Sequence, residues 1–234
     1  MKTVEIDSDL KIKLSISKKV FQPTSTTNIL LKSCFKIIKK PGKILDLGCG
    51  CGVVGFSLFK KNKTTSPLYF SDLSISAIKD VNINAKFHKT KVISKQGSLF
   101  DPWENIKFDY IINDVAGISE EVAKISSWYK FVSCESGKNG TKLVNRIIKD
   151  SKKYLKKNGS LFIPLISLSN EEMIKNQMSK YYKKIKLIDF IDWPLPKDMY
   201  QHIDLLYKLK KQKKINFEEK WGIIICRTSV YMLK

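Results

Sequence analysis
From about residue 43 onward, short runs of consecutive apolar residues alternate with segments whose apolar positions recur every three to four residues. The runs have strand length and the recurring segments have helical period, so the chain predicts alternating strands and helices. Lys43 to Leu47 is an apolar run entering a glycine cluster and reads as a buried strand, with a helix over 53–61 behind it. Leu68 to Ser71 reads as a second strand, and Ser74 as the N-cap of a helix carrying Ile78, Val81 and Ala85 on one face. A third strand is expected over 91–95 and a fourth over 108–112, ending at Asn113. Leu143, Val144, Ile147, Ile148 and Leu155 mark the inner face of a long helix; Asn158 and Gly159 read as its left-handed stop, and 160–165 as a fifth strand. This alternation specifies an α/β fold, a mostly parallel sheet with helices on both faces. Residues 1–40 read as a helical cap broken by Pro23. Residues 193–220, with Pro194, Pro196 and a lysine-rich helix, read as an insertion in a core spanning 41–234.

With 234 residues and 43% apolar side chains, the chain can fill a sizeable core, which excludes general disorder. Its apolar stretches stop short of the roughly 20 residues a bilayer span needs, and the first ten residues lack a signal peptide's apolar run. Cys34, Cys49, Cys51, Cys134 and Cys226 form no C-x-x-C pair, so a reduced cytoplasmic compartment is the expectation. A net charge of +21 raises nucleic acid as a partner. Yet of 43 basic residues only Arg146 and Arg227 are arginine, the side chain that grips phosphates and guanine edges bidentately. The lysines are also spread along the chain, which favours a solvated surface over a binding stripe.

Chemistry concentrates in Asp46-Leu-Gly-Cys-Gly-Cys-Gly-Val-Val-Gly55, at the end of the first expected strand. Glycines there allow a sharp turn and close ligand approach. Gly50-x-Gly52-x-x-Gly55 followed by Asp72 can be scored as a dinucleotide fingerprint. Asp46 argues otherwise, because a carboxylate inside the loop repels a pyrophosphate but suits an ammonium group. The stretch resembles motif I of the Rossmann-like class I S-adenosylmethionine (SAM) methyltransferases, which implies a seven-stranded sheet, SAM as cofactor and Asp72 on the ribose hydroxyls. Phe21-Gln-Pro-Thr-Ser-Thr-Thr27 and Cys134-Glu-Ser-Gly-Lys-Asn-Gly140 resemble segments of the release-factor glutamine methyltransferases and the related ribosomal-RNA guanine methyltransferases. Gly97-Ser-Leu-Phe-Asp101 resembles their adenine-bordering loop. The resemblance implies a cofactor site of Thr27, Asp46, Gly48, Cys49, Gly50, Asp72, Leu73, Ser98, Leu99 and Asn113.

Two departures change the picture. Ser98 stands where the family usually has an acid. More consequentially, the tetrapeptide Asn-Pro-Pro-Tyr becomes Asn113-Asp114-Val115-Ala116. The rigid prolines and the stacking aromatic are gone, which lowers the case for a flat nucleobase or amide, and Asp114 adds a carboxylate at the presumed transfer point. Asn113 and Asp114 are therefore the candidate catalytic pair, holding a protic nitrogen of a small molecule, peptide or protein side chain; a helix-capping role for Asp114 is the competing reading. An RNA base methyltransferase and a non-catalytic SAM-binding scaffold are the rival functions. His88 and His202 stand too far apart for a metal site, and no Cys/His spacing fits zinc. Trp128 and Tyr129 serve either as a substrate wall or as packing, and Trp193, Pro194, Pro196, Tyr200 and His202 either as a lid or as packing.

Overall fold
The computed structural model describes residues 1–115 and 117–234. Among these residues ten strands and seven α-helices follow one another. A hairpin of β1 (Lys2–Asp7) and β2 (Leu10–Leu14) precedes α1 (Ser25–Ile37). Then come β3 (Ile44–Leu47), α2 (Val53–Lys60), β4 (Leu68–Asp72), α3 (Ile75–Phe87), β5 (Val92–Gln96) and β6 (Phe108–Asn113). The second half holds α4 (Glu120–Ile125), α5 (Lys142–Ser151), β7 (Leu155–Ile166), α6 (Glu171–Tyr181), β8 (Ile185–Pro194), α7 (Ile203–Lys211), β9 (Glu218–Lys220) and β10 (Ile223–Leu233).

The main sheet runs β5-β4-β3-β6-β7-β10-β8, with short β9 added against β10. It therefore has eight strands rather than the expected seven, the extra one being a three-residue arm. β3 to β7 pair in parallel and β10 antiparallel to β7 and β8. Strand β3 is buried along its whole length because helices cover both faces. Leu30, Phe56, Phe70, Val81 and Ile112 belong to the core on one side, and Leu45, Phe108, Ile111, Ile147 and Ile163 to the other.

Two further expectations fail. The long helix ends at Ser151, and Leu155, Asn158 and Gly159 lie within β7 rather than at a helix stop. Gly159 is needed for close approach instead: a Cβ there would stand 2.9 Å from the Phe108 carbonyl oxygen and 3.1 Å from that of Asp109. The segment before residue 41 also carries the β1–β2 hairpin, whose Leu10, Ile12 and Leu14 are buried while Lys11 and Lys13 are exposed. Within 193–220, Trp193 and Pro194 close β8, and a 3-10 turn over Lys197–His202 leads into α7. This segment packs as a third core, with Leu195, Met199, Leu206 and Phe217 against Ile118, Val122 and Leu168.

Candidate active site
Strand order reverses between β3 and β6, since the chain proceeds from β3 to β4 and β5 on one side and later to β6 and β7 on the other. Crevices at the carboxyl ends of strands at such a point bind ligands in open α/β sheets. A cavity of about 510 Å³ opens here, in the size range of cofactor sites.

The glycine loop forms its floor. Gly48 and Gly50 have φ of +70° and +51°, and the amides of Gly48 and Cys49 donate to the Ser71 carbonyl at 2.9 and 3.0 Å. Asp72 closes β4 and clamps the turn: its Oδ2 accepts from the Gly50 amide at 2.9 Å and its Oδ1 from the Ser74 amide at 2.8 Å. Ser74 caps α3, accepting from the Ala77 amide. Burial raises the Asp72 carboxyl above its ordinary value. Gly48, Cys49, Gly50, Asp72, Leu73, Ser98 and Leu99 all line the cavity, as does Thr27. Leu99 holds its turn with φ of +50°, and Ser98 lies 3.4 Å from the Arg146 guanidinium, which also pairs with Asp101 and Asp150.

Asp46 and Asn113 sit behind the wall rather than on it. Asp46 Oδ2 accepts from the Gly55 amide at 2.8 Å, while its Oδ1 is buried without a partner. Burial, partly offset by that amide and reinforced by the Asp114 and Asp72 carboxylates, holds its acid well above the usual range. The doubly anchored Asp72 fits SAM, since it lies on the cavity wall and retains lone pairs for ribose hydroxyls. Asp46 departs from the expected ammonium contact: it lies outside the cavity lining and holds the glycine loop from behind. Asn113 is fully buried; its Oδ1 accepts from the Val115 amide at 3.2 Å, and its Nδ2 has no partner.

Asp114 does reach the cavity. Its Oδ2 accepts a 2.8 Å hydrogen bond from the Thr27 hydroxyl, and Thr27 in turn accepts from the Thr24 amide at the start of α1. Burial pushes the Asp114 carboxyl up to about 7, against the opposing Thr27 bond. Helix α4 is capped by Ser119 and not by Asp114. The sequence reading passed over Asp80 and Asn84 on α3. Asp80 Oδ2 accepts from the Ser17 amide, while Asn84 bonds the Ser15 amide, the Ser15 carbonyl and the Cys51 carbonyl. Together they strap the 15–17 segment to the glycine loop. Phe131 and Glu135, which also line the cavity, lie in a polar stretch after Trp128 and Tyr129 that gave no periodic signal.

The methyltransferase small domain family matches residues 18–114, which covers the glycine loop, Asp72 and Asp114. The fold is that of the class I methyltransferases, and the chain is a SAM-dependent methyltransferase. The chain is 28% identical over 179 residues to a putative protein N5-glutamine methyltransferase of Methanocaldococcus jannaschii, covering 75% of this chain and 87% of that protein. It is 26% identical over 181 residues to the release factor glutamine methyltransferase of Aquifex aeolicus, covering 74% of this chain but 63% of that protein. In fold it is similar to a chain of the E. cuniculi Mtq2–Trm112 complex, which is responsible for methylation of a translation termination factor, with a TM-score of 0.59, 12% identity, and coverage of 92% and 99%. No helix among the described residues is long and apolar enough to cross a membrane.

Proposed function
We propose that this enzyme methylates a nitrogen on a protein side chain, with Asp114 at its reaction centre and Asn113, behind the wall, positioning it. The observation that carries the reading is Asp114, a carboxyl held in the cavity by Thr27 and poised near neutrality. Its relatives' names, protein glutamine methyltransferases, support the same acceptor class. Bound SAM would supply a methyl group on a sulfonium sulfur. Thr27 fixes one oxygen of Asp114, and the carboxylate holds the acceptor N–H in line and takes the proton the nitrogen gives up. Asn113 shapes the turn that presents Asp114, through the bond from the Val115 amide. Asp72 would hold the ribose end of the cofactor, and Asp46, behind the wall, braces the glycine loop through the Gly55 amide.

RNA is the second reading, favoured by the net charge of +21. The cavity argues against it: among the described residues its charged lining is Lys19 against Asp72, Asp114 and Glu135. Incubation with methyl-labelled SAM and, in parallel, a protein fraction and an RNA fraction tests the choice. Label in protein supports the reading. Label confined to RNA, with an affinity that falls steeply with salt, replaces it.

A further inference from the structure
The cavity does not end at Asp114. It continues across the carboxyl end of the sheet past Pro164 and Ile166 to Trp193. Asp114 follows β6, Ile166 ends β7, and Thr228, which pairs with Ile166, lies on β10. Two strand spacings separate β6 from β10, so this arm extends about 10 Å beyond the reaction centre.

Its far end is walled by tryptophans from separate parts of the chain. Trp128 stands on a 3-10 turn after α4, and Trp193 near the end of β8. Their ring centroids lie 5.8 Å apart at 71°, and the Trp193 indole N–H donates to the Thr228 hydroxyl at 3.0 Å, which fixes its ring plane. Phe131, 64% exposed, borders the mouth. Both indoles are half-buried, with one side on the third core and the other on the cavity. The tetrapeptide that should supply an aromatic beside the transfer point lacks one, and here two aromatics stand farther out along the same cavity.

We infer that Trp128 and Trp193 form a specificity slot for a peptide acceptor, gripping an uncharged apolar or aromatic residue about two to three positions from the methylated one, at roughly 3.3–3.6 Å per extended residue. The inference rests on the protein-acceptor reading. The chemistry of the walls selects the occupant. Indole faces reward flat or apolar groups. The carboxylates of Asp114 and Glu135 with no lysine or arginine among the described residues of this arm disfavour phosphate and acidic side chains. The length of the arm suits a chain segment rather than an isolated small molecule.

The test uses the full-length protein and an array of nine-residue peptides with a central glutamine, flanked at each position by glycine, apolar, aromatic, acidic or basic residues. Transfer of labelled methyl and fluorescence-polarisation binding are read with SAM present. Wild type is expected to prefer an aromatic or apolar residue at one flanking position. Trp128→Leu and Trp193→Ala should lose that preference, lowering kcat/KM about 10- to 100-fold on preferred peptides, as for truncated aromatic anchors, while leaving the rate on glycine-flanked peptides and the SAM affinity unchanged. Trp193→Phe, which keeps a ring but loses the Thr228 bond, should fall between them and controls for folding. A flanking preference that persists in both variants, or no tryptophan-dependent peptide binding, overturns the slot. Tryptophan-dependent binding without methylation keeps the slot and refutes the acceptor reading instead.

Discussion

Asp114→Asn isolates the energetic cost of the site. The substitution keeps the side chain's shape and an oxygen for the Thr27 hydroxyl, but removes the ionisable group. In wild type the folded protein holds this carboxyl at about 7 instead of 3.8 because burial disfavours its charge. That displacement corresponds to roughly 4 kcal/mol against the ionised form. Solvent entering the cavity mouth reduces it, and about 2 kcal/mol is the working figure. The folded state binds the proton more tightly than the unfolded chain, so the group costs nothing below about pH 4. Stability is lost progressively as pH rises toward 7, and the full cost persists above it. The Asn variant escapes this cost, and neutralising position 114 also relieves Asp46, which the Asp114 charge pushes in the same direction. At pH 8 its Tm should exceed wild type's by about 4–8 °C, using 2–4 °C per kcal/mol for a domain of this size. The gap should close toward pH 4.5. Thermal denaturation of both proteins without cofactor from pH 4.5 to 8.5 measures it, and methyl transfer is assayed on the same samples. Stabilisation with loss of turnover is the signature of a group kept for chemistry. Parallel pH profiles, or a variant less stable at pH 8, would refute the burial argument; unchanged turnover would remove Asp114 from the reaction centre.

Asp72→Ala removes both anchors of the glycine turn, on Gly50 and Ser74, and the acceptor proposed for the ribose. SAM affinity by calorimetry should fall roughly 10- to 100-fold, the range for losing hydrogen bonds to a charged group; an unchanged affinity would place the ribose elsewhere. Gly48→Ala puts a Cβ 2.3 Å from Val115 Cγ2 at a φ of +70°, which should lower Tm and weaken SAM binding together, the left-handed backbone alone costing about 1–2 kcal/mol. Asn84→Ala breaks the bonds to Ser15 and to the Cys51 carbonyl. It should cost about 2–4 kcal/mol and expose residues 15–20 to limited proteolysis, whereas resistance equal to wild type would mean the strap is held by Asp80 alone.

Signals carried within a few residues were legible in the sequence. The buried strands announce themselves as apolar runs, and Asp46 and Asp72 as acids at strand ends beside glycines. The β2 strand was equally open to reading, since Leu10, Lys11, Ile12, Lys13 and Leu14 alternate strictly and their burial follows. Asn158-Gly159 misled because a dipeptide that stops a helix locally is also the one that lets β7 crowd the Phe108 and Asp109 carbonyls, and only the packed sheet distinguishes the two. Contacts across long separations had no signal: Thr27 meets Asp114 across 87 residues, and Asn84 meets Ser15 across 69. Whole-chain charge is the extreme case. A net charge of +21 reports the exposed lysines, which solvent and salt screen over about 8–10 Å. A cavity whose lining, among the described residues, carries three carboxylates and one lysine answers to its own walls. Inside it charges act at short range and weak screening, so the acceptor is selected there, and the sign of the site opposes the sign of the surface.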